Sequence, residues 1–183
     1  MHPVQLTGRV VTLRELRPDD AADAFMIVGD DRVTHWLSFD SRDQAQTTAM
    51  IDGAVRRARD EPRTEYYLAV ARADDPDQRM IGFARLGLTG HRAAKLGYAI
   101  HADHWGHGYA TDAARTIVDF GFHTLGLHRI TAAIGPSNAA SIAVIKRLGM
   151  SYEGRLRDHV YTNGAWRDSL LYSVLAPEWA RDR

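Results

Sequence analysis

Short apolar runs with strand-like alternation recur along the chain and predict seven β-strands. The second and third are joined by Asp74-Asp75-Pro76-Asp77, whose composition is typical of a turn. The last two are joined by Asn163-Gly164, which is a strong hairpin signal. The predicted strands cover residues 8–16, 66–71, 80–88, 96–100, 129–134, 152–161 and 166–175.

Four other stretches carry apolar residues at helical spacing, and most begin or end with a recognisable signal. Pro18 and two aspartates open the first, and Ser41 with Gln44 has the capping-box spacing at the start of the second. Asn138 is placed to cap the fourth, and Gly149 stands where a left-handed residue ends a helix. The order β, α, α, β, β, β, α, β, α, β, β predicts an α/β (α+β) fold with one mixed sheet and helices on both sides.

Length and charge narrow the possible classes of protein. The 183 residues fit one domain, 1–183, which is large enough to bury a continuous core. Lys plus Arg and Asp plus Glu both total 23, so bulk charge predicts neither a nucleic-acid partner nor a membrane surface. The sequence has no apolar run of about 18 residues and no basic, then apolar, N-terminal segment. A cytoplasmic protein without membrane contact is therefore expected.

The absence of cysteine excludes several chemistries. Without it there are no disulfides, no thiolate metal sites and no cysteine acyl-enzyme. If an acyl group is transferred, we expect it to pass directly from donor to acceptor.

Residues 95–115 place a strand, a glycine-bearing loop and a helix in succession. Gly106 and Gly108 lack Cβ, so the backbone can turn sharply there and leave its N–H groups uncovered. These groups, together with the free donors and the positive dipole end of the following helix, predict a phosphate site.

Two common phosphate motifs fit this loop poorly. A Walker A loop ends in Gly-Lys-Ser/Thr, whereas this loop ends Gly108-Tyr109-Ala110-Thr111 and lacks the lysine. The dinucleotide fingerprint needs a third glycine, where Thr111 stands, and usually follows the first strand of a βαβ unit.

A third motif fits better. The segment Trp105-Gly106-His107-Gly108-Tyr109-Ala110 resembles the pyrophosphate loop of the GNAT N-acetyltransferases, Gln/Arg-x-x-Gly-x-Gly/Ala. It departs from this pattern at Trp105, where most of the family has Gln or Arg. Tryptophan followed by glycine nevertheless resembles the loop of the branch that acetylates ribosomal-protein N-termini, the RimJ/RimL type. Downstream, Pro136-Ser137-Asn138-Ala139-Ala140-Ser141 and then Lys146-Arg147-Leu148-Gly149-Met150 resemble the family's Asn-x-x-Ser helix ending in Leu-Gly-Phe. Two motifs in the right order are more specific than either alone.

The resemblance implies a fold and an activity. The fold is a central mixed, mostly antiparallel sheet of six to seven strands, splayed between the fourth and fifth and flanked by about four helices. The activity is acetyl-CoA-dependent transfer of an acetyl group to a primary amine, without a metal. The acceptor is either a peptide or protein α-amine or a small molecule such as an antibiotic, an amino acid or a polyamine. Dimers are common in this branch, so a homodimer is an alternative to a monomer.

The resemblance also implies cofactor-binding residues. In the family, a backbone N–H of the splaying central strand stabilises the oxyanion, and pantetheine pairs with that strand. The pyrophosphate lies on the loop amides, and the asparagine of the second motif is also expected to contact the cofactor. The implied residues are Ile100, His101, Ala102, Gly106, His107, Gly108, Tyr109, Ala110, Thr111 and Asn138.

Acid and base catalysts are less evident in the sequence. Many members carry a tyrosine that falls at Ile145 here, which cannot donate a proton. Ser141 is the next candidate acid by resemblance to the ribosomal-protein branch, and the alternative is a purely structural hydrogen bond. The family's glutamate on the central strand falls at Lys95, and a carboxylate of some relatives falls at Val160. A water relay or the uptake of a neutral amine therefore stays open.

Aromatic and histidine residues complete the candidates. Trp36, Tyr66 and Tyr67 are predicted to line an acceptor pocket, with a role in the core as the alternative. His101, His104 and His107 recur every three residues, but they run from a strand end into a loop and would not share one face, so no metal site is predicted. His107 stands where lysine is common and either contacts a phosphate or is solvated.

Two rival functions are separable by experiment. The missing tyrosine and glutamate allow a non-catalytic acyl-CoA-binding module, which would bind acetyl-CoA tightly without turnover. A nucleotide-binding protein is disfavoured by the absent P-loop lysine, and competition between ATP and acetyl-CoA tests it.

Overall fold

The computed structural model describes residues 2–179, which form one eight-stranded sheet in the order β1-β2-β3-β4-β5-β6-β8-β7. All neighbouring strands are antiparallel except β5 and β6, which are parallel. The strands are β1 Gln5–Thr7, β2 Val11–Glu15, β3 Glu65–Arg72, β4 Met80–Leu88, β5 Ala93–Ile100, β6 Arg129–Ile134, β7 Ser151–Thr162 and β8 Ala165–Leu175.

Six α-helices lie within the described residues, together with two 3-10 turns at Pro18–Asp20 and Ala102–His104. No helix within 2–179 is both long enough and apolar enough to span a bilayer. The helices are α1 Ala21–Val28, α2 Asp31–Thr34, α3 Gln44–Arg57, α4 Tyr109–His123, α5 Ala139–Arg147 and α6 Ala176–Trp179.

The sheet opens between β5 and β6. These strands pair only at Ala93↔Arg129, Ala94↔Ile130 and Lys95↔Thr131, whereas β4 and β5 pair along the whole of β5 up to Ile100. Beyond Lys95, therefore, the edge of β5 that faces β6 has no strand partner. We call this gap the opening; it lies between the fourth and fifth strands of the predicted count, as the resemblance implied.

Side chains of the central strands alternate between two cores. On one side, which we call the α4 face, residues such as Leu86, Leu96 and Ile130 pack against α4 and α5. On the other, the α1 face, Phe83 and Ala99 pack against α1 and α3. The opening therefore leads from the α4 face of the sheet to the α1 face.

The prediction of a mixed, mostly antiparallel sheet is confirmed, but the strand and helix numbers were too low. Of the predicted first strand, residues 8–16, only β2 is a strand; β1 was not predicted, and residues 8–10 instead form the turn between the two, against α4. A Cβ at Gly8 would lie 2.5 Å from the Asp112 carboxylate, which also accepts the N–H groups of Val10 and Val11 at 2.8 and 3.1 Å. The short helices α2 and α6 were not predicted.

The capping box of α3 also lies elsewhere than predicted. Asp43, not Ser41, is the N-cap, and its carboxylate and the Gln46 side chain exchange hydrogen bonds with each other's backbone N–H at 2.8 and 3.0 Å. Ser41 instead bonds the Thr34 and Asp31 side chains. The Asn138 cap of α5 and the left-handed Gly149 (φ 74°) agree with the sequence prediction.

Candidate functional site

The loop between β5 and α4 depends on two glycines with positive φ. Gly106 has φ 81° and Gly108, the N-cap of α4, has φ 79°. Left-handed backbone favours glycine because a Cβ there is strained. A Cβ added at either position would meet no atom within 4 Å, so the loop is open to the outside rather than packed.

The loop presents a row of unused backbone donors. No N–H group of residues 106–111 has an acceptor within residues 2–179. The flanking groups are used, since the Trp105 N–H donates to the Ala102 carbonyl at 3.2 Å and the Asp112 N–H to Gly108 at 3.0 Å. These donors coincide with the positive end of the dipole of α4, which is 15 residues long. Such an arrangement can bind a diphosphate.

Asp112 fixes the position of this helix end. It is buried in the first turn of α4, where its carboxylate holds the β1–β2 turn through Val10 and Val11. The carboxylate is thereby engaged away from the free amides of the loop. Sequence reasoning did not single out Asp112, although an acidic residue in a first helical turn was a usable signal.

At the end of β5, one backbone N–H of residues 100–102 was predicted to stabilise the oxyanion, and not all three are free. The His101 N–H already donates to the Ile81 carbonyl at 2.8 Å, so it is not free for an oxyanion. Ile100 alternates with His101, and its backbone faces the opening. The Trp105 indole N–H donates to the Ile100 carbonyl at 2.8 Å and ties the loop to the strand end. The Ile100 and Ala102 N–H groups are the donors left from the predicted set.

Ser141 and Asn138 lie at the start of α5, beside the opening. The Asn138 carboxamide oxygen accepts the Ser141 N–H at 3.0 Å, which caps the helix. The Ser141 hydroxyl has no partner within residues 2–179, so it is available to a ligand. Ile145, at the position of the family's tyrosine, is fully buried.

Tyr98, on the central strand β5, contacts the start of α5. It was not predicted as a site residue. Its hydroxyl donates to the Ser141 carbonyl at a long 3.4 Å. Burial raises the pKa of Tyr98 to about 12, against a smaller opposing effect of this hydrogen bond. Its phenol is therefore protonated at neutral pH. The only sequence signal was its place in the central strand.

The three histidines form no common site. The His101 ring accepts the Asp103 N–H at 3.1 Å, and the exposed His107 ring stacks on Tyr109 with centroids 5.5 Å apart. Burial, followed by the nearby His101, lowers the pKa of His104. Within residues 2–179, no three His, Asp or Glu side chains are grouped to hold a metal ion. Transfer without a metal stays a prediction.

The predicted acceptor aromatics separate onto different surfaces. Tyr66 is buried on the α4 face, edge to face with Phe120 at 5.1 Å, so it is a core residue and not part of an acceptor pocket. The strand alternation places Tyr67 on the α1 face, where burial raises its pKa and its hydroxyl contacts Met50 Sδ at 3.9 Å. Trp36 is 39% exposed between α2 and α3.

The β7–β8 hairpin reaches across to the segment that carries Trp36. The Asn163 N–H donates to the Asp40 carboxylate at 2.7 Å, and Arg167 donates to the His35 carbonyl at 2.5 Å. These two hydrogen bonds hold the hairpin against residues 35–40. Sequence reasoning did not find these contacts, which join residues more than a hundred positions apart.

Charged side chains lie on the α1 face, and of these only Lys95 was singled out in the sequence, at the position of the family's glutamate. Glu65 accepts from Arg57 at 2.6 Å and from Arg85 at 2.7 Å. Burial opposes ionisation of Glu65, but the two arginine hydrogen bonds outweigh it and lower its pKa. Lys95 stands on the next strand. Only the strand register brings these residues together, so no local signal could have predicted their proximity.

Comparisons with known proteins agree on one family. The model of the acetyltransferase (GNAT) domain matches residues 11–151. The uncharacterized N-acetyltransferase YoaA of Bacillus subtilis (strain 168) is 30% identical over 178 residues, 97% of this chain and 99% of its own. The putative ribosomal N-acetyltransferase YdaF of the same organism is 31% identical over 178 residues, 94% and 95% of the two chains.

A solved structure is similar as well. Mycobacterium smegmatis RimJ in complex with CoA-disulfide superposes with a TM-score of 0.81 at 27% identity, covering 97% of this chain and 90% of that one.

Proposed function

Because the chain belongs to the GNAT family and is an N-acetyltransferase, we propose that it moves acetyl from acetyl-CoA directly to the N-terminal α-amine of a peptide or protein. The name of YdaF, a putative ribosomal N-acetyltransferase, supports a peptide acceptor. The alternative acceptor is a small-molecule amine, such as an antibiotic or an amino acid.

The observation that carries the coenzyme part of this proposal is the row of free amides at residues 106–111. The diphosphate of acetyl-CoA binds these N–H groups at the start of α4. Pantetheine then enters the opening along the unpaired edge of β5, in the position of a missing strand. The thioester thereby reaches the α1 face, where the acceptor amine meets it.

Transfer needs a neutral amine, a donor for the oxyanion and a proton for the leaving thiolate. The amine nitrogen attacks the thioester carbonyl, and the Ile100 N–H stabilises the oxyanion. When the C–S bond breaks, the Ser141 hydroxyl passes its proton to the thiolate and takes one up from solvent, which in turn receives the proton lost by the nitrogen. The Ser141 hydroxyl is suited to this step because no group within residues 2–179 engages it.

The extent of the domain is part of the proposal. The family model ends at residue 151, yet β8 inserts between β6 and β7 and completes the same sheet. This continuity supports a single domain over the chain. A cytoplasmic location and a homodimer stay predictions.

Thiol release from acetyl-CoA with a panel of amines tests the acceptor. The panel contains short peptides with N-terminal alanine or serine, their N-terminally blocked forms, free amino acids, an aminoglycoside and a polyamine. We expect the free peptides to be the best acceptors and the blocked forms to be inert. Faster turnover of a small amine than of any peptide would replace the peptide proposal.

A further inference from the structure

Four charged residues form a row across the α1 face. Glu65 pairs with Gly87 in the sheet register, and Gly87 pairs with Lys95, so the three positions lie side by side on β3, β4 and β5. The Arg85 guanidinium lies over Gly87, because a Cβ added at Gly87 would be 3.3 Å from Nη2 of Arg85. Arg57 joins the row from α3. We call these residues, Arg57, Glu65, Arg85 and Lys95, the charged row.

The row carries a surplus of positive charge. Its single carboxylate, Glu65, is shared by both arginines, which fastens α3 to the sheet. Lys95 is exposed, and its ammonium has no hydrogen-bond or ion-pair partner among residues 2–179. Three cations against one carboxylate leave two positive charges uncompensated. A structural role accounts for Arg57, Glu65 and Arg85, but not for Lys95.

The position of Lys95 connects the row to the reaction. It is the last residue of β5 that pairs with β6, so the opening begins directly after it. Two residues further, a Cβ on Gly97 would meet nothing within 4 Å, and this free space is on the same face. The row therefore borders the side on which the proposed function places the acceptor.

We propose that the charged row binds an anionic group of the acceptor, a carboxylate close to the primary amine, and that Lys95 is its main contact. This inference rests on the proposed function, because it assumes that the acceptor lies on the α1 face. Arg57 and Arg85, about half exposed, add attraction without losing their bonds to Glu65. A polyamine would be repelled by the same charges.

Two sources could supply the carboxylate, and they need separate substrate pairs. One is an acidic side chain after the N-terminal residue of a peptide, which the pair Ser-Asp-Ala-amide and Ser-Asn-Ala-amide tests. The other is the α-carboxylate of a free amino acid, which serine and serinamide test. Within the peptide pair, size and amine basicity are nearly constant and only the negative charge changes. Serine has a more basic α-amine than serinamide, so that pair is compared through the change in its ratio between the parent and the Lys95 variants.

The experiment compares kcat/KM within each pair for the parent and for Lys95 variants. We expect the acidic member of one pair to be preferred by roughly tenfold, which corresponds to one charge pair several ångströms apart at intermediate dielectric. Lys95→Met should bring the ratio close to one, and Lys95→Glu should invert it. Equal rates within both pairs, or a preference that survives Lys95→Glu, would overturn the inference.

Lys146, the only other lysine of the chain, provides the matched control. It is exposed on α5, across the sheet from the row. Lys146→Glu makes the same change in net charge and should leave the substrate ratio as in the parent. An equal loss of preference in both variants would mean that overall charge, not the row, discriminates.

Equilibrium binding separates failure of the inference from failure of the proposed function. If none of the four compounds is turned over, the proposed acceptor class is wrong, and the same pairs are then titrated into the CoA-loaded protein. A preference for the acidic member that Lys95→Met abolishes would still support the row as an anion site. Indifference to the carboxylate would reject it.

Discussion

The two sides of the opening differ in the groups that they offer to a ligand. On the α4 face, the candidate coenzyme site consists of backbone N–H groups from one contiguous loop, residues 106–111. On the α1 face, the candidate acceptor site consists of side chains from α3, three central strands and a distant hairpin, as in the Asn163 to Asp40 contact. A phosphate group can be bound by backbone N–H groups alone, whereas the chemistry of an acceptor is recognised by particular side chains.

The largest effect should follow from removing the backbone site. Gly108→Val places a β-branched residue at φ 79° and puts its side chain into the open space before the free amides. Losing two or three charge-assisted hydrogen bonds should weaken acetyl-CoA binding roughly a thousandfold. Isothermal calorimetry measures the affinity, and circular dichroism checks that the fold persists.

Gly126→Val is the matched control for Gly108→Val. Gly126 also has positive φ, at 63°, and free space around a new Cβ, but it lies beyond the far end of α4. It imposes similar strain and should leave the affinity for acetyl-CoA unchanged. If Gly108→Val binds as tightly as the parent, the contrast between a backbone site and a side-chain site is lost.

The free amides of the candidate coenzyme loop were largely predictable because they depend on local sequence. Gly106 and Gly108 identify a loop that needs positive φ, and a strand before it with a helix after it fix where the amides point. The cap at Asn138 is equally local. His101 could not be excluded as a donor from sequence, because its N–H is taken by Ile81 of the neighbouring strand.

The acceptor side was poorly predictable because it depends on register. Tyr66 and Tyr67 are adjacent in sequence but face opposite sides of β3, so one is in the core and the other faces α3. The pairing of Glu65 with Arg57 and Arg85 likewise depends on how three elements align. The missed α2 has only four residues, too few to show a helical period.

The next largest effect separates two aromatic residues that the sequence grouped together. Tyr66→Ala should lower the free energy of unfolding by about 3 kcal/mol, because it leaves a cavity beside Phe120. Trp36→Ala should cost less than about 1 kcal/mol, since Trp36 is partly exposed, but should raise KM for the acceptor. Urea unfolding and steady-state kinetics measure both. A large KM effect in folded Tyr66→Ala alone would reverse our assignment.

A smaller effect is expected at Ser141. Without its hydroxyl, the thiolate leaves unprotonated, so Ser141→Ala should lower kcat about ten- to a hundredfold while KM for acetyl-CoA stays near that of the parent. The neighbouring exposed Ser137, as Ser137→Ala, should change neither value. Unchanged kcat in Ser141→Ala would assign the residue a structural role, and an altered KM alone would make it a binding residue.

The smallest effect concerns a surface ion pair on the α1 face. Glu153 bonds Arg129 and accepts from the Ser173 hydroxyl at 2.6 Å, and these contacts, Arg129 first, lower its pKa to about 2. A carboxylate with a depressed folded-state pKa stabilises fully above its ordinary value of 4.5 and loses that contribution as the pH falls towards 2.

Glu153→Gln should therefore reduce the free energy of unfolding by less than about 1 kcal/mol at pH 7, because the pair is partly exposed. Urea titrations at pH 7, 5 and 3 should give a similar difference from the parent at the first two values and a smaller one at pH 3. A difference that grows on acidification would contradict the assigned pairing.

The most direct test of the account is the response of the loop amides to coenzyme A, followed by ¹H–¹⁵N NMR of the labelled protein. We expect the largest chemical-shift changes at Gly106 to Thr111, and we expect them to weaken when pantetheine, which lacks the diphosphate, replaces coenzyme A. Changes centred on another surface, with these six amides undisturbed, would show that the diphosphate does not bind at the start of α4.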